Sequence, residues 1–512
     1  MEWWNAFNEK FTIMKKLCLI ILLVLSLTIW ADAQTVDDAL RYSQIFYSGT
    51  SRFSSMGGAF TALGGDLSTL SQNPAGIGLF RSSEVSITPQ LFHINTLANF
   101  KTKSREDYLY DFNLPQLGFV VNLINKNSGT GLMSLNLGYS FNKTNNYNQT
   151  IVIEGTGDQS SLADYWAEYN NGYILDDMSS DAYIGWRAFV IDSVAGYNNQ
   201  WGTVYSGYGS EASLYGQNIS RYITYSGFSG EHAISVGGNW SDKIYFGATL
   251  GINRISYKSH YEHLEATNKV LPDRYSDVAG FTDFRYTFDY SNTGTGFTFK
   301  TGIIYKPIET LRLGFAFHSP TIYRIHEEAY DHITSHFDVG GIKEFSNNFE
   351  GFDYALTTPF RIIVGGALQI KKFALLSAEY EFADYKTARF ANVRDDDYDY
   401  SIKNQQIKSS LHSANNLRLG AEFRLNKIYL RGGYSYYGRA WQAGELNDFL
   451  DYNAVSCGIG FREKNIGIDI GYTHMTNPMN YILYDTYSET AASDMTINRN
   501  IFSVTFGYKF GY

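Results

Sequence analysis

The residues of this 512-residue chain that could do covalent chemistry are scattered. Ten histidines are spread along it, none of them in an HExxH pattern. CxxC, GxSxG and phosphate-loop patterns do not occur either. Ser456 and His474 fall in runs that read as neighbouring strands, where a Ser/His pair arises by chance. The stretch "RDDDYDY" (394–400) has the charge to hold a divalent cation but not the spacing or the glycine of a calcium loop, and reads as a solvated acidic loop. Of the 2 cysteines, Cys18 lies in an apolar leader, so Cys457 stands alone and no intrachain disulfide is possible. No catalytic residue, metal site or cofactor is expected, and the chain does not read as an enzyme.

Binding and gating are the chemistry that remains. In "SQNPAGIG" (71–78), Pro74 fixes its own φ and drives Asn73 towards an extended conformation. Asn73, Pro74, Ala75 and Gly76 are therefore candidate gating residues, the alternative being a structural turn. Phe53, Met56, Phe60 and Leu63 are candidates to line a hydrophobic ligand pocket, the alternative being that they pack their segment against a wall. Pro89, Pro115, Pro320 and Pro359 interrupt runs that otherwise read as strands. Each is a candidate break in the strand ladder, or a bulge, or a position beyond the membrane.

The elements that must position these residues are strands. Aromatics make up 16% of the chain, with 41 Tyr and 35 Phe against 8 Pro, a composition that favours sheet. The mean hydropathy of −0.25 excludes a bundle of membrane helices. Strict alternation dominates. Phe502, Val504, Phe506, Tyr508 and Phe510 oppose Ser503, Thr505, Gly507 and Lys509. Leu417, Leu419, Ala421, Phe423 and Leu425 oppose Arg418, Gly420, Glu422 and Arg424. About fourteen such strands can be read between 82 and 512, joined alternately by tight links ("SDK", "NK", "EKN") and long polar ones, the longest over about 149–228. That rhythm predicts an all-β, antiparallel transmembrane barrel with its apolar faces turned to lipid. In the long link, "SLADYWAEY" (161–169) predicts a helix with Leu162, Tyr165, Trp166 and Tyr169 on one face.

Residues 17–30 form the one long apolar run, preceded by Lys15 and Lys16 and followed by Ala31-Asp32-Ala33. This predicts a signal peptide over 1–33, with Met14 the better start, and export from the cytoplasm. Its removal takes away three basic residues (Lys10, Lys15, Lys16) and three acidic ones (Glu2, Glu9, Asp32), so the net charge stays at −10. Nothing in that balance suits nucleic acid.

A barrel of this size encloses more space than wall side chains fill, and residues 34–81 are the expected hatch, placed in the end of the lumen where the tight links lie. Gly57, Gly58, Gly64, Gly65, Gly76 and Gly78 would allow its bends. The pattern "SSMGGAFTALGGDLSTLSQNPAGIG", followed at once by a first strand, resembles the N-terminal hatch of the FadL-type long-chain fatty acid and hydrocarbon transporters of the outer membrane of Gram-negative bacteria. "LGFAFHSPTIYRI" (313–325) is similar to a strand of that family. The resemblance implies passive uptake of hydrophobic molecules such as long-chain fatty acids, through a pocket beside the hatch and by a lateral or lumenal exit. Expected partners are the hydrophobic ligand, outer-membrane lipids and, through the aromatic-ended last strand, the outer-membrane assembly machinery; a monomer is expected. Two other functions fit such a barrel: a protein-interaction or secretion shuttle, and a haem-uptake receptor.

Overall fold

The computed structural model describes residues 34–126, 129–208, 215–267, 269, 279–349, 351–393 and 398–511. The expected signal peptide, Tyr512 and residues 394–397 of the acidic stretch lie outside these.

Alternating apolar and polar residues produce one closed antiparallel sheet. Its staves are β1 (Ser83–Phe100), β2 (Lys103–Asn125), β3 (Leu132–Asn146, continued by Gln149–Thr156), β4 (Asn218–Trp240), β5 (Ile244–Ala266) and β6 (Ala279–Ile308). Next come β7 (Leu311–His318 and Ile322–Val339), β8 (Phe352–Thr357 and Arg361–Ile370) and β9 (Ala374–Asp384 and Arg389–Asn392). The last five are β10 (Ser413–Leu425), β11 (Ile428–Tyr437), β12 (Tyr452–Glu463), β13 (Ile466–Asp485) and β14 (Thr490–Phe510). Each pairs with the next, and β14 returns to β1 with Phe510 opposite Ser83, which closes the ring. A further strand, Gly341–Asn348, folds back on β7. No helix among the described residues is long and apolar enough to cross a membrane.

The two faces divide as a membrane barrel requires. Phe297, Ile303 and Ile470 on the outer face are 58%, 50% and 51% exposed, whereas Glu231 and Arg418 on the inner face are fully buried. The apolar residues thus face outward and the charged ones inward, the reverse of a soluble sandwich. Six links at one end are tight; the long loops gather at the other end, together with two short links, 101–102 and 486–489.

The strands outrun the sequence reading. Residues 102–111 read as a long polar link, yet β1 and β2 pair continuously up to Phe100 and Lys103, and Lys101 takes the turn at φ +53°. β13 and β14 likewise pair up to Asp485 and Thr490. The long link shrinks to 157–217, because the ends of 149–228 belong to β3 and β4. Within it, Leu162–Asn170 is helical as its spacing predicts, but Tyr169 points to solvent while Leu162 and Trp166 are buried.

The prolines sit at irregularities of the ladder. Pro89 and Pro115 oppose each other in one bulge between β1 and β2, where register shifts between Thr88 and Gln90. Pro320 and Pro359 lie in the breaks inside β7 and β8, at the same height. Those two breaks are bridged, Thr358 N donating to Thr321 O at 2.9 Å, so the wall remains joined there.

Candidate functional site

Residues 34–82 run inside the sheet against its inward faces. Local sequence sets their shape. Thr35 and Asp38 form a capping box on the helix Val36–Ser43, Thr50 caps Ser51–Ser55, and Asp66 and Asn73 cap the 3-10 turns Leu67–Ser71 and Pro74–Leu79. These caps supply acceptors to backbone N–H groups that the short helices leave free. The segment is not confined to the tight-turn end. Residues 51–82 occupy that half, but Gln34 donates from Nε2 to Glu327 Oε1 at 3.2 Å, in the loop-side part of β7. The head of the segment therefore reaches into the other half of the lumen.

The wall grips this segment by charge. Glu379 accepts from Thr61 N (2.9 Å), from Gln72 Nε2 (2.9 Å) and from Arg418 Nη1 (2.6 Å). Arg418 also donates to Glu381 at 3.1 Å. Lys300 donates to Ser71 O at 2.7 Å and to Glu231 at 2.6 Å. His318 Nε2 lies 2.7 Å from Gln72 O and so carries the proton there. Arg52 pairs with Glu422, which also binds Arg431.

Asn73, Pro74, Ala75 and Gly76 are all buried at the wall of β4 to β6. Asn73 Oδ1 accepts from Ala75 N at 3.1 Å and Nδ2 donates to Thr61 O at 2.6 Å. The seat depends on glycine in the wall: a Cβ on Gly302 would lie 1.9 Å from Asn73 Oδ1, and one on Gly247 would lie 2.3 Å from Pro74 O. Of the six glycines expected to bend this segment, Gly57, Gly58, Gly64 and Gly65 have positive φ. Gly76 is instead required by close approach to Thr69 and Gly64, and Gly78 by approach to Gly238. Phe53, Met56, Phe60 and Leu63 form one cluster with Ala367 of the wall, each at most 3% exposed. In this arrangement they pack the segment rather than line an open pocket.

The larger aromatic site lies higher. Tyr147, Tyr257, Tyr323 and Tyr354 of the strands and loops surround Leu40 and Tyr42 of the segment. The rings of Tyr42, Tyr147 and Tyr257 pack edge-on at 5.3 to 6.5 Å between centroids, a favourable geometry for aromatic pairs. Sequence reading missed these tyrosines; their signal is an aromatic at inward parity on an otherwise polar face.

Tyr147 stands where the wall parts. β2 pairs with β3 from Asn125 to Gln116, the last pair being Gln116 with Asn142. Beyond that, residues 103–115 of β2 pair with β1 only, while β3 stays on β4 and passes behind β1. Gln149 donates to the inward-facing Thr96 at 3.2 Å. Side chains alone span the seam: Asn146 Nδ2 donates to Asp111 Oδ2 at 3.2 Å, and Arg105 binds Glu154 at 2.6 Å. Pro115 sits at the foot of this parting.

The 157–217 loop covers the loop end, burying Trp166, Ile184, Val190 and Tyr205 against Phe284, Tyr286 and Ile333. Burial pushes its Asp164 carboxyl up to about 7, with Glu265 and Glu168 adding to the rise and hydrogen bonds from Thr203 and Tyr215 opposing it. Between the ordinary carboxyl pKa of 3.8 and about 7 the docked loop holds a proton that the undocked loop releases. Docking therefore weakens as pH rises through that window, by about 4 kcal/mol at most. Amide protection of the helix Leu162–Asn170, corrected for intrinsic exchange, should fall from pH 4 to pH 7, and Asp164→Asn should flatten the change.

No protein-family profile matches the chain, and no curated protein sequence matches it. Solved structures do. A FadL homologue from Pseudomonas aeruginosa shares 14% identity, covers 92% of this chain and 100% of its own, and superposes with a TM-score of 0.53. The toluene transporter TodX from Pseudomonas putida shares 12% identity, covers 90% of this chain and 99% of its own, with a TM-score of 0.53. The molecule is a closed fourteen-stranded antiparallel β-barrel. Its fold is that of the FadL-type barrels, and the likeness extends over about nine-tenths of the chain.

Proposed function

We propose that the protein is an outer-membrane channel of a Gram-negative bacterium for passive uptake of hydrophobic small molecules, with residues 34–81 as its hatch and 1–33 as a cleaved signal peptide. The observation that carries this reading is the continuity between the tyrosine-lined site and the β2/β3 seam. A lumen filled by a charge-anchored segment is a poor path for an apolar solute. An aromatic chamber lowers the cost of taking such a solute out of an apolar phase. In this reading the ligand displaces Leu40 and Tyr42 from among Tyr147, Tyr257, Tyr323 and Tyr354, and leaves sideways past Tyr147 into the bilayer. The Asn73–Gly76 turn acts as the fixed pivot of the hatch, with Gly57, Gly58, Gly64 and Gly65 as its bends. The two solved barrels named above make both an alkyl carboxylic acid and a monocyclic arene suitable first substrates to try.

Mass spectrometry of small molecules retained by the detergent-purified protein, with uptake of labelled fatty acid and labelled toluene by cells producing it, tests the proposal. Retained apolar ligand and saturable uptake of either compound are the expected results. Tyr257→Ala should weaken retention. Pro74→Ala should slow uptake while leaving retention in place. A protein that copurifies through the loops, with no retained ligand and no uptake, would favour the shuttle reading instead.

A further inference from the structure

A second apolar site lies on the outside of the barrel. Where β8 to β11 adjoin, the outward residues are small: Gly366 is paired with Ala378, and Ala421 with Gly432. Leu368, Leu376, Leu419 and Tyr434 rise around them, leaving a groove of about 620 Å³. The floor is open rather than held by contacts. A Cβ on Gly366 would meet nothing within 4 Å, and one on Gly432 would have only Ser456 O at 4.0 Å.

The charge below the groove says what fills it. β8 and β9 join through the tight turn 371–373, where Lys371 and Lys372 are exposed and neither has an ion-pair partner among the described residues. From Gly366 to Lys371 is about 16 Å along the strand, about 12 Å of depth at a strand tilt of about 40°, which keeps the groove within the half-thickness of a hydrocarbon core, about 15 Å. The acids on the flanking turns are already engaged, Glu309 with Lys306 and Glu463 with Lys427. The six tight turns carry Lys126, Lys243, Lys306, Lys371, Lys427 and Lys464 in or beside them, against the acids Asp242, Glu309 and Glu463, so these turns have a basic excess although the chain as a whole is acidic.

We infer that this face binds an anionic phospholipid of the leaflet at the tight-turn end, its acyl chain in the Gly366–Gly432 groove and its phosphate between Lys371 and Lys372. The inference rests on the membrane reading above and adds a specific lipid site to it. An apolar ligand in transit would use the groove but gain nothing from the lysines; an anionic amphiphile uses both.

The test places the full-length protein in nanodiscs of equal phosphatidylcholine and phosphatidylglycerol, releases it with mild detergent and counts retained lipids by native mass spectrometry. The wild type should retain phosphatidylglycerol preferentially, by roughly five-fold per lysine. Lys371→Gln with Lys372→Gln should abolish the preference. Gly366→Leu with Gly432→Leu should remove one retained lipid while the heat-modifiable gel mobility of a folded barrel persists. Equal retention of both lipids by the wild type overturns the inference, as does unchanged retention after the groove is filled. Displacement of the lipid by toluene, or loss of a dimer on filling the groove, assigns the face to cargo or to a second copy and overturns it as well. Insertion without lipid preference defeats only this inference, whereas failure to insert into nanodiscs at all defeats the membrane reading with it. The lysine pair lies in an exposed turn, so its variant gives a result even if the groove-filled barrel misfolds.

Discussion

Arg418→Met will unseat residues 51–82 from the barrel wall. Arg418 is fully buried and lies between Glu379 and Glu381, at 2.6 and 3.1 Å. Its guanidinium also stacks near Tyr47 and Tyr437, 5.0 and 5.2 Å from their ring centroids. Methionine fills much of the volume but leaves two buried carboxylates with Arg361 as their remaining cation. Breaking a buried pair from one side costs about 3–5 kcal/mol. Glu379 is the acceptor for Thr61 N and Gln72 Nε2, so the strain falls on the enclosed segment and not on the wall, whose ladder is intact around β10. Planar-bilayer recordings should show a quiet wild type and a conducting variant, with the melting temperature of the barrel reduced. Adding Glu379→Gln removes the stranded charge and should restore much of the closure. A variant that stays as tight as wild type would show that the anchor lies in the glycine-seated contacts instead.

In the channel proposed above, tying the seam shut will stop transport. Asp111 and Asn146 touch across the gap between β2 and β3, so Asp111→Cys with Asn146→Cys, in a Cys457→Ser background, places two thiols face to face. Cys457 is an exposed free cysteine and would otherwise react. A short bifunctional thiol reagent should reduce uptake of labelled hydrocarbon to the level of cells lacking the protein, and the unreacted double variant should transport. The native bridge is one neutral-to-charged hydrogen bond and one exposed ion pair. Such contacts are worth about 1–3 and 0–1 kcal/mol, weak enough for thermal opening. Uptake unaffected by the crosslink would place release through the lumen, and the hatch would have to move much further than the lateral route requires.

The barrel was legible because lipid and lumen impose opposite demands on alternate residues, and runs such as 502–510 and 417–425 record both. The strand ends were not legible, for a physical reason. Above the hydrocarbon band the outer face becomes polar, as at His93 and Asn95 of β1 and Arg254, Ser256 and Lys258 of β5, while backbone pairing continues through these positions. Hydrophobic alternation therefore stops before the strand does. The segment 34–81 stands apart from the strands by its glycine and proline and by its place before the first strand. Its height in the lumen depends on Gln34 meeting Glu327, a contact between residues 293 apart. The seam leaves no local signature, because β3 keeps one partner and loses the other. The tyrosine site hid for a related reason: Tyr147, Tyr257, Tyr323 and Tyr354 converge only once the sheet has curled.

The pairing of β1 with β14 sets an order of events in biogenesis. Ser83 begins the first stave directly after the enclosed segment 34–82, and its partner Phe510 lies in the last stave of the ring, β14. The plug must be tucked in before that final zipper closes, because afterwards every route back would require threading a capped, folded chain through a packed cylinder. Residues 34–82 are thus a cargo that the barrel wraps itself around. A hatch supplied later as a separate peptide should fail to repair a barrel made without one.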